Sequence, residues 1–210
     1  MKPMEKEASA KIGILGGTFN PIHNGHLMIA EQAREEFGLE RILFLPTGQS
    51  PHKLKQQITD SSMRCDMIRL AIADNPFFEL DMTEVNAKRI SYTYITLQEI
   101  KKAYPASELY FILGADSLFD LETWKEPEEI LAACNILAAY REGDGQKDFQ
   151  KQIDYLNEKY HAHIYPLHTP SFEVSSREIR SRVSKNQTIR YLVPKEVEAY
   201  IQKTKLYRNL

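Results

Sequence analysis

Ile12-Gly13-Ile14-Leu15-Gly16-Gly17-Thr18-Phe19-Asn20-Pro21-Ile22-His23-Asn24-Gly25-His26 runs from an apolar segment through paired glycines to two histidines three positions apart. The apolar segment reads as a short buried strand, and His26-Leu27-Met28-Ile29-Ala30-Glu31-Gln32-Ala33-Arg34 reads as a helix. A strand that turns through glycines into a helix start is a place for a phosphate. Glycine lets backbone N–H groups approach an anion, and the helix N-terminus adds partial positive charge. Histidines at that point can donate hydrogen bonds to phosphoryl oxygens and stabilise charge that develops there. The spacing matches neither the GxGxxG dinucleotide fingerprint nor the GxxxxGK[ST] P-loop.

Outward from this turn, strand-like runs alternate with helical ones. Strands are predicted over residues 11–15, 41–45, 78–82, 109–113, 135–139 and 163–167. Such alternation implies an α/β fold, a doubly wound and mostly parallel sheet, with a small helical part at the C-terminal end. Gly38 suits the left-handed cap of the first helix. A second helix starts at Ser61 or Ser62, with Met63, Met67, Leu70 and Ala71 on one face. A third runs from Tyr92 to Ala103, before Pro105. Phe149, Ile153, Leu156 and Tyr160 recur at helical spacing, and Pro194 opens a last helix over residues 195–204. Residues 1–10 read as a flexible tail, and residues 11–210 as a single domain.

Composition narrows the function classes. The 210 residues carry 27 Lys and Arg against 29 Asp and Glu, a formal net charge of −2. That balance gives no broad electrostatic case for nucleic acid or an anionic membrane, so phosphate chemistry has to come from locally placed groups. Cys65 and Cys134 are far apart and lack metal spacing, which fits a reducing cytoplasm. No apolar run reaches the length of a membrane span. His161 and His163 alternate without further nearby ligands, and no metal-ligating set is predicted.

Ser175-Ser176-Arg177-Glu178-Ile179-Arg180 is the second informative stretch. Ser175 with Glu178 three positions on has the form of a capping box. Hydroxyls and free N–H groups at a helix start, with Arg180 about one turn in, form a second anion site. By itself this is also what an ordinary capped helix with exposed arginines looks like. Together the two stretches can divide a triphosphate, one taking the α-phosphate and the other the β and γ groups.

The turn resembles the HxGH signature of the nucleotidyltransferases, and Ser175–Arg180 resembles their second signature, SSTxIR. Phe44-Leu45-Pro46, Pro51-His52-Lys53, Ser91-Tyr92-Thr93 and Gly114-Ala115-Asp116 with Trp124 follow in the order seen in bacterial nicotinate-nucleotide adenylyltransferases. The resemblance implies a Rossmann-like fold and a cytoplasmic enzyme of NAD biosynthesis. Its reaction moves AMP from ATP to nicotinate mononucleotide and releases pyrophosphate. It implies His23, His26 and Arg180 as catalytic residues, and an ATP site formed by Gly16, Gly17, Thr18, Phe19, His23, His26, Gly114, Asp116, Ser175, Ser176 and Arg180. Lys53, Thr93 and Trp124 are implied for nicotinate mononucleotide. The implied cofactor is Mg²⁺, held mainly by ATP phosphates and water, which needs no carboxylate cage. Assembly into a homo-oligomer is left open.

The chain departs from the family pattern at several positions. Asn20 stands where Asp is common, Arg177 where Thr is usual, Ile95 where Asp often follows Ser-Tyr-Thr, and Asp120 where some relatives have Tyr. Arg141-Glu142-Gly143 replaces an Arg-Pro-Gly. Two other readings share the phosphate motifs: another nucleotidyltransferase (for phosphopantetheine or a cytidylyl acceptor) and a non-catalytic nucleotide sensor. The Ser91–Thr93 and Asp116–Trp124 stretches disfavour the first. An intact His23, His26 and Arg180 set disfavours the second, since a sensor needs affinity rather than contacts to a transition state.

Overall fold

A computed structural model describes residues 9–49, 58–87, 89–141, 146–169 and 173–208. In chain order the elements are β1 (Lys11–Gly17), α1 (Asn24–Phe37), β2 (Arg41–Pro46), α2 (Ser61–Ile72), β3 (Phe78–Leu80), α3 (Thr83–Asn86), α4 (Thr93–Ala103), β4 (Glu108–Gly114), α5 (Ala115–Asp120), a 3-10 turn Leu121–Thr123, α6 (Pro127–Ala133), β5 (Asn135–Arg141), α7 (Gln146–Tyr160), β6 (Ile164–Thr169), α8 (Ser176–Ser184) and α9 (Lys195–Thr204). All strand pairs are parallel, in the order β3-β2-β1-β4-β5-β6. The chain starts in mid-sheet, winds outward to β3, and returns to the other side of β1. The change of direction falls between β1 and β4, where an open α/β sheet leaves a crevice at its C-terminal edge.

Side-chain alternation along the strands builds two cores. Leu15, Ile42, Phe44, Tyr110, Ile112, Leu137 and Leu167 face the helices α1, α2, α8 and α9, packing on Ala30, Ala33, Ile68, Ile179, Val197 and Ile201. Ile12, Ile14, Leu43, Phe111, Leu113, Ile136 and Ile164 face the other layer, against Leu97, Ile100, Ile130, Phe149, Ile153 and Leu156. Each fully buried Ile, Leu or Phe stabilises the fold by roughly 1.5–3 kcal/mol, so both layers are strongly held.

The six predicted strands are all present, with shifted ends. The first runs on to Gly17 because Gly16 and Gly17 stay in register with Leu45 and Pro46 of β2. The third stops at Leu80 rather than residue 82, because the Asp81 carboxylate accepts from the Thr83 N–H at 2.7 Å and turns the chain into α3. The last begins at Ile164, leaving His163 outside it. The first helix begins at Asn24, not His26, and Gly38 closes it in the left-handed conformation (φ 62°). On α2 the predicted face was rotated. Arg64, Cys65, Met67, Ile68, Ala71 and Ile72 are buried, whereas Leu70 is exposed. A charged residue on the inner face hid the true stripe from a polarity pattern. Cys65 and Cys134 are both free and buried.

Candidate active site

The glycine turn is fixed from three sides. Phe19 takes a left-handed backbone conformation (φ 48°), and a cis peptide joins Asn20 to Pro21. The Phe19 ring is buried in the core beside Phe44, with centroids 5.9 Å apart. Only its main chain is therefore available to a nucleotide. From below, Arg64 donates from Nη1 to the Thr18 carbonyl at 2.7 Å, from Nη2 to the Thr47 carbonyl at 2.8 Å and from Nε to the Thr59 carbonyl at 3.0 Å. From the C-terminal part, the Tyr207 hydroxyl donates to Asn20 Oδ1 at 2.8 Å, and burial pushes the Tyr207 pKa up to about 12. Asn20 thus serves as a neutral acceptor in a buried network.

His23 is the N-cap of α1, in extended conformation, and His26 is the third residue of the helix. The His23 N–H donates to His26 Nδ1 at 3.2 Å, and the two rings stack with centroids 3.6 Å apart. Because Nδ1 accepts, the neutral His26 ring carries its proton on Nε2 and remains a donor there. Burial, and secondarily the neighbouring His23, hold the His26 pKa well below the ordinary histidine range. His26 is therefore neutral at pH 7, and it can donate a hydrogen bond without bearing a charge. The ring is steadied edge-on by Phe19, 4.9 Å away.

The second motif is joined to the same turn. Ser175 caps α8 by accepting from the Glu178 N–H at 3.1 Å, the local half of the predicted capping box. Ser176 Oγ donates to the Pro21 carbonyl at 2.8 Å, and Arg180 Nη1 donates to the Asn20 carbonyl at 2.7 Å. Two stretches more than 150 positions apart form one polar face as a result.

Beside this face is a cavity of about 580 Å³. Gly16, Gly17 and Thr18 form one wall, Ser91, Tyr92, Thr93 and Thr96 another, and Ser117, Asp120, Thr123, Trp124 and Lys125 a third. Thr93 is the first residue of α4, and Tyr92 before it is an N-cap with no side-chain cap, so the first N–H groups of α4 lack a side-chain partner there. Trp124 is half-buried and meets Phe111 edge-on, with centroids 6.4 Å apart. The turn that carries Trp124 is anchored through Glu122, which accepts from Lys159 at 2.6 Å and from Tyr160 at 2.9 Å. Glu84, from α3, is a buried carboxylate in the cavity wall. It accepts from Thr96 Oγ1 at 3.0 Å and the Gly48 N–H at 3.4 Å, and burial raises its pKa.

Of the residues predicted from sequence, the fold brings Gly16, Gly17, Thr18, Thr93 and Trp124 to one cavity. His23, His26, Ser176 and Arg180 group around the adjoining turn. Gly114 and Asp116 stand at the C-terminal end of β4 and the first turn of α5, exposed and outside the cavity wall. Lys53 lies outside the described residues. Sequence reasoning missed Arg64, Glu84, Tyr207 and Lys125. Arg64 left one usable signal, an arginine directly beside Cys65 among the apolar positions of a helical repeat.

A parallel sheet in this order, with a histidine-bearing glycine turn facing a capped Ser-Ser-Arg helix, defines a nucleotidyltransferase. Residues 14–182 match the cytidylyltransferase-like family. A protein of Desulfitobacterium hafniense named "Probable nicotinate-nucleotide adenylyltransferase" is 44% identical over 200 residues, covering 94% of this chain and 96% of the relative. One of the same name from Lachnoclostridium phytofermentans is 45% identical over 197 residues, covering 94% and 98%. The chain belongs to the nicotinate-nucleotide adenylyltransferase family. Among solved structures, the Plasmodium falciparum nicotinic acid mononucleotide adenylyltransferase complexed with NaAD superposes with a TM-score of 0.78, at 21% identity over 94% of this chain and 97% of the other. The complex of that protein with APC gives 0.74. At that identity the likeness establishes the fold.

Proposed function

We propose that this chain transfers AMP from ATP to the phosphate of nicotinate mononucleotide, giving deamido-NAD and pyrophosphate, and that residues 11–210 act as one nucleotidyltransferase domain in the cytoplasm. The observation that carries this reading is that Gly16–Thr18, Thr93 and Trp124 line one cavity next to His23, His26 and Arg180. A phosphate oxygen of the acceptor is already anionic. It attacks the α-phosphorus of ATP, and the bond from that phosphorus to the bridging β-oxygen breaks as pyrophosphate leaves. No enzyme nucleophile or strong base is needed, only in-line placement and neutralisation of the repelling phosphates.

Each residue has a part in that scheme. His23 and His26 hydrogen-bond the α-phosphoryl oxygens, with neutral His26 using its Nε2 proton. Ser175, Ser176, Arg180 and the N-terminus of α8 hold the departing pyrophosphate. The main chain of Gly16 to Phe19 cradles the triphosphate, while Gly114 and Asp116 border the nucleoside, with Asp116 reaching ribose. Trp124 offers a flat face to the pyridine ring. Thr93 and the first N–H groups of α4 serve its carboxylate, and Lys53 the mononucleotide phosphate.

Mg²⁺ would be carried on the triphosphate rather than by a protein cage. Among the described residues no group of three His, Cys, Asp or Glu converges on a point. The donors around the turn are imidazole, hydroxyl and guanidinium groups, which suit phosphate oxygens. The ion, with water as its other ligands, would offset phosphate charge.

The test is pyrophosphate release by purified protein with Mg²⁺ and ATP. Release with nicotinate mononucleotide, and far less with the nicotinamide form or phosphopantetheine, is the expected result. Tight ATP binding without release for any acceptor would replace the enzyme with a nucleotide sensor.

A further inference from the structure

The cavity wall holds one cation among the described residues, Lys125, together with two carboxylates, Glu84 and Asp120. The Lys125 ammonium sits 4.7 Å from the centroid of the Tyr92 ring. Tyr92 is the N-cap of α4 and directly precedes Thr93, so the ammonium is held at the mouth of that helix start. Among the described residues no carboxylate lies within ion-pair distance of Lys125. The residue before it in the chain is Trp124. The proposed stacking face and the cation therefore come from neighbouring positions on one turn, which Glu122 anchors to α7 through Lys159 and Tyr160.

Nicotinate and nicotinamide rings have nearly the same shape. The Thr93 hydroxyl and the first N–H groups of α4 already favour a carboxylate over a carboxamide, through charge-assisted bonds and the partial positive charge of the helix start, but they carry no full positive charge. What separates them is one full negative charge. In this cavity that charge would meet the Glu84 and Asp120 carboxylates unless a cation offsets them. Glu84 has hydrogen-bond donors on both oxygens, and burial favours its neutral form, which reduces its repulsion. Asp120 stands exposed in the cavity wall and remains an anion to counter.

We propose that Lys125 is a specificity-determining residue, the charge by which this cavity selects a pyridine carboxylate over the corresponding carboxamide. The proposal rests on the acceptor being nicotinate mononucleotide. Lys125 is exposed and lines the cavity without being built into the core, so substitutions there leave folding intact.

The experiment compares kcat/KM for nicotinate mononucleotide with that for nicotinamide mononucleotide, in pyrophosphate release by the full chain. Wild type, Lys125→Arg, Lys125→Met and Lys125→Glu form the series. The expected result is that the ratio falls roughly tenfold in Lys125→Met, through KM for the nicotinate form, and further in Lys125→Glu. Lys125→Arg keeps the ratio within about twofold, because a cation is retained. KM for ATP stays constant across the series. An unchanged ratio in Lys125→Met, or an equal loss for both acceptors, overturns the proposal. A wild-type protein that releases no pyrophosphate with nicotinate mononucleotide fails at the first measurement, and takes down the adenylyl-transfer reading along with this one.

Discussion

The guanidinium of Arg180 donates to the main-chain carbonyl of Asn20 across 2.7 Å, linking two residues 160 positions apart. The same contact sets the Arg180 cation against the backbone of the glycine turn. A planar fork can hold that carbonyl with one nitrogen and offer others to a phosphate, which a single ammonium cannot do.

Replacing Arg180 by Lys therefore keeps the charge but forces a choice between the turn and the ligand. The expected outcome is a fall in kcat of about 10²-fold or more, the scale seen when one donor to developing charge is lost. Steady-state pyrophosphate release measures it, with circular dichroism as a control for folding. Arg180→Lys at wild-type turnover would remove Arg180 from the catalytic set.

Arg64 is the structural counterpart under the turn. It is buried, and its three donors satisfy carbonyls of Thr18, Thr47 and Thr59. Arg64→Met preserves volume and strands these acceptors, each costing about 1–3 kcal/mol when unsatisfied and buried. Some will find water, so a loss of about 3 kcal/mol is expected from the urea midpoint at constant slope. Activity at a temperature where the variant is folded should fall as well, because Thr18 belongs to the cavity wall.

The contrast between these two arginines explains how much was legible. Arg180 sits in a short motif whose spacing has a local cause: a serine cap and a helix one turn long enough to bring the side chain round. Strands, the Gly38 cap and the Ser175 cap are local in the same sense. Apart from the Thr59 carbonyl beside Arg64, the contacts of Arg64, Glu84 and Tyr207 come from partners 12 to 187 positions away, as in Thr96 to Glu84 and Tyr207 to Asn20. No single helix or strand contains both members of such a pair. The polarity of Arg64 obscures the inner face of α2, since a charge that donates to three carbonyls can occupy it. Trp124 and Thr93 were legible as candidates, but their meeting at one cavity with Gly16–Thr18 is a product of β1 and β4 lying side by side.

His26 supplies a pH signature. Its folded pKa is depressed well below 6.5, mainly by burial, while the unfolded chain titrates near the ordinary value. The unfolded state thus binds a proton first as pH falls. The His26 contribution is fully present above about pH 6.5 and is lost as pH drops from there toward the folded pKa, by at most about 1.4 kcal/mol per unit. Glu84 has the opposite sign: its raised pKa adds stability at low pH that disappears as pH rises through the folded value. Thermal melts between pH 7.5 and pH 5, both set by the ordinary histidine value near 6.5, should show wild type losing stability on acidification. His26→Asn, which retains an acceptor for the His23 N–H, should lose less. Parallel curves for the two proteins would contradict the buried, neutral state of His26.

Trp124 is the chain's sole tryptophan, so its fluorescence reports on the cavity without labelling. It is half-buried against Phe111 and faces the same space as Thr93 and Gly16–Thr18. Nicotinate mononucleotide should quench or shift that emission saturably, and Thr93→Val should weaken the titration. Stacking of an aromatic side chain on a nucleobase-like ring amounts to about 1–3 kcal/mol by alanine substitution. Because the ring is held alike in ground and transition states, that energy appears in KM rather than kcat. Trp124→Ala should therefore raise KM for nicotinate mononucleotide roughly tenfold or more and leave KM for ATP near wild type, while Trp124→Phe recovers much of the loss. A fall in kcat with KM unchanged would mean that Trp124 supports the turn behind it instead of the pyridine ring.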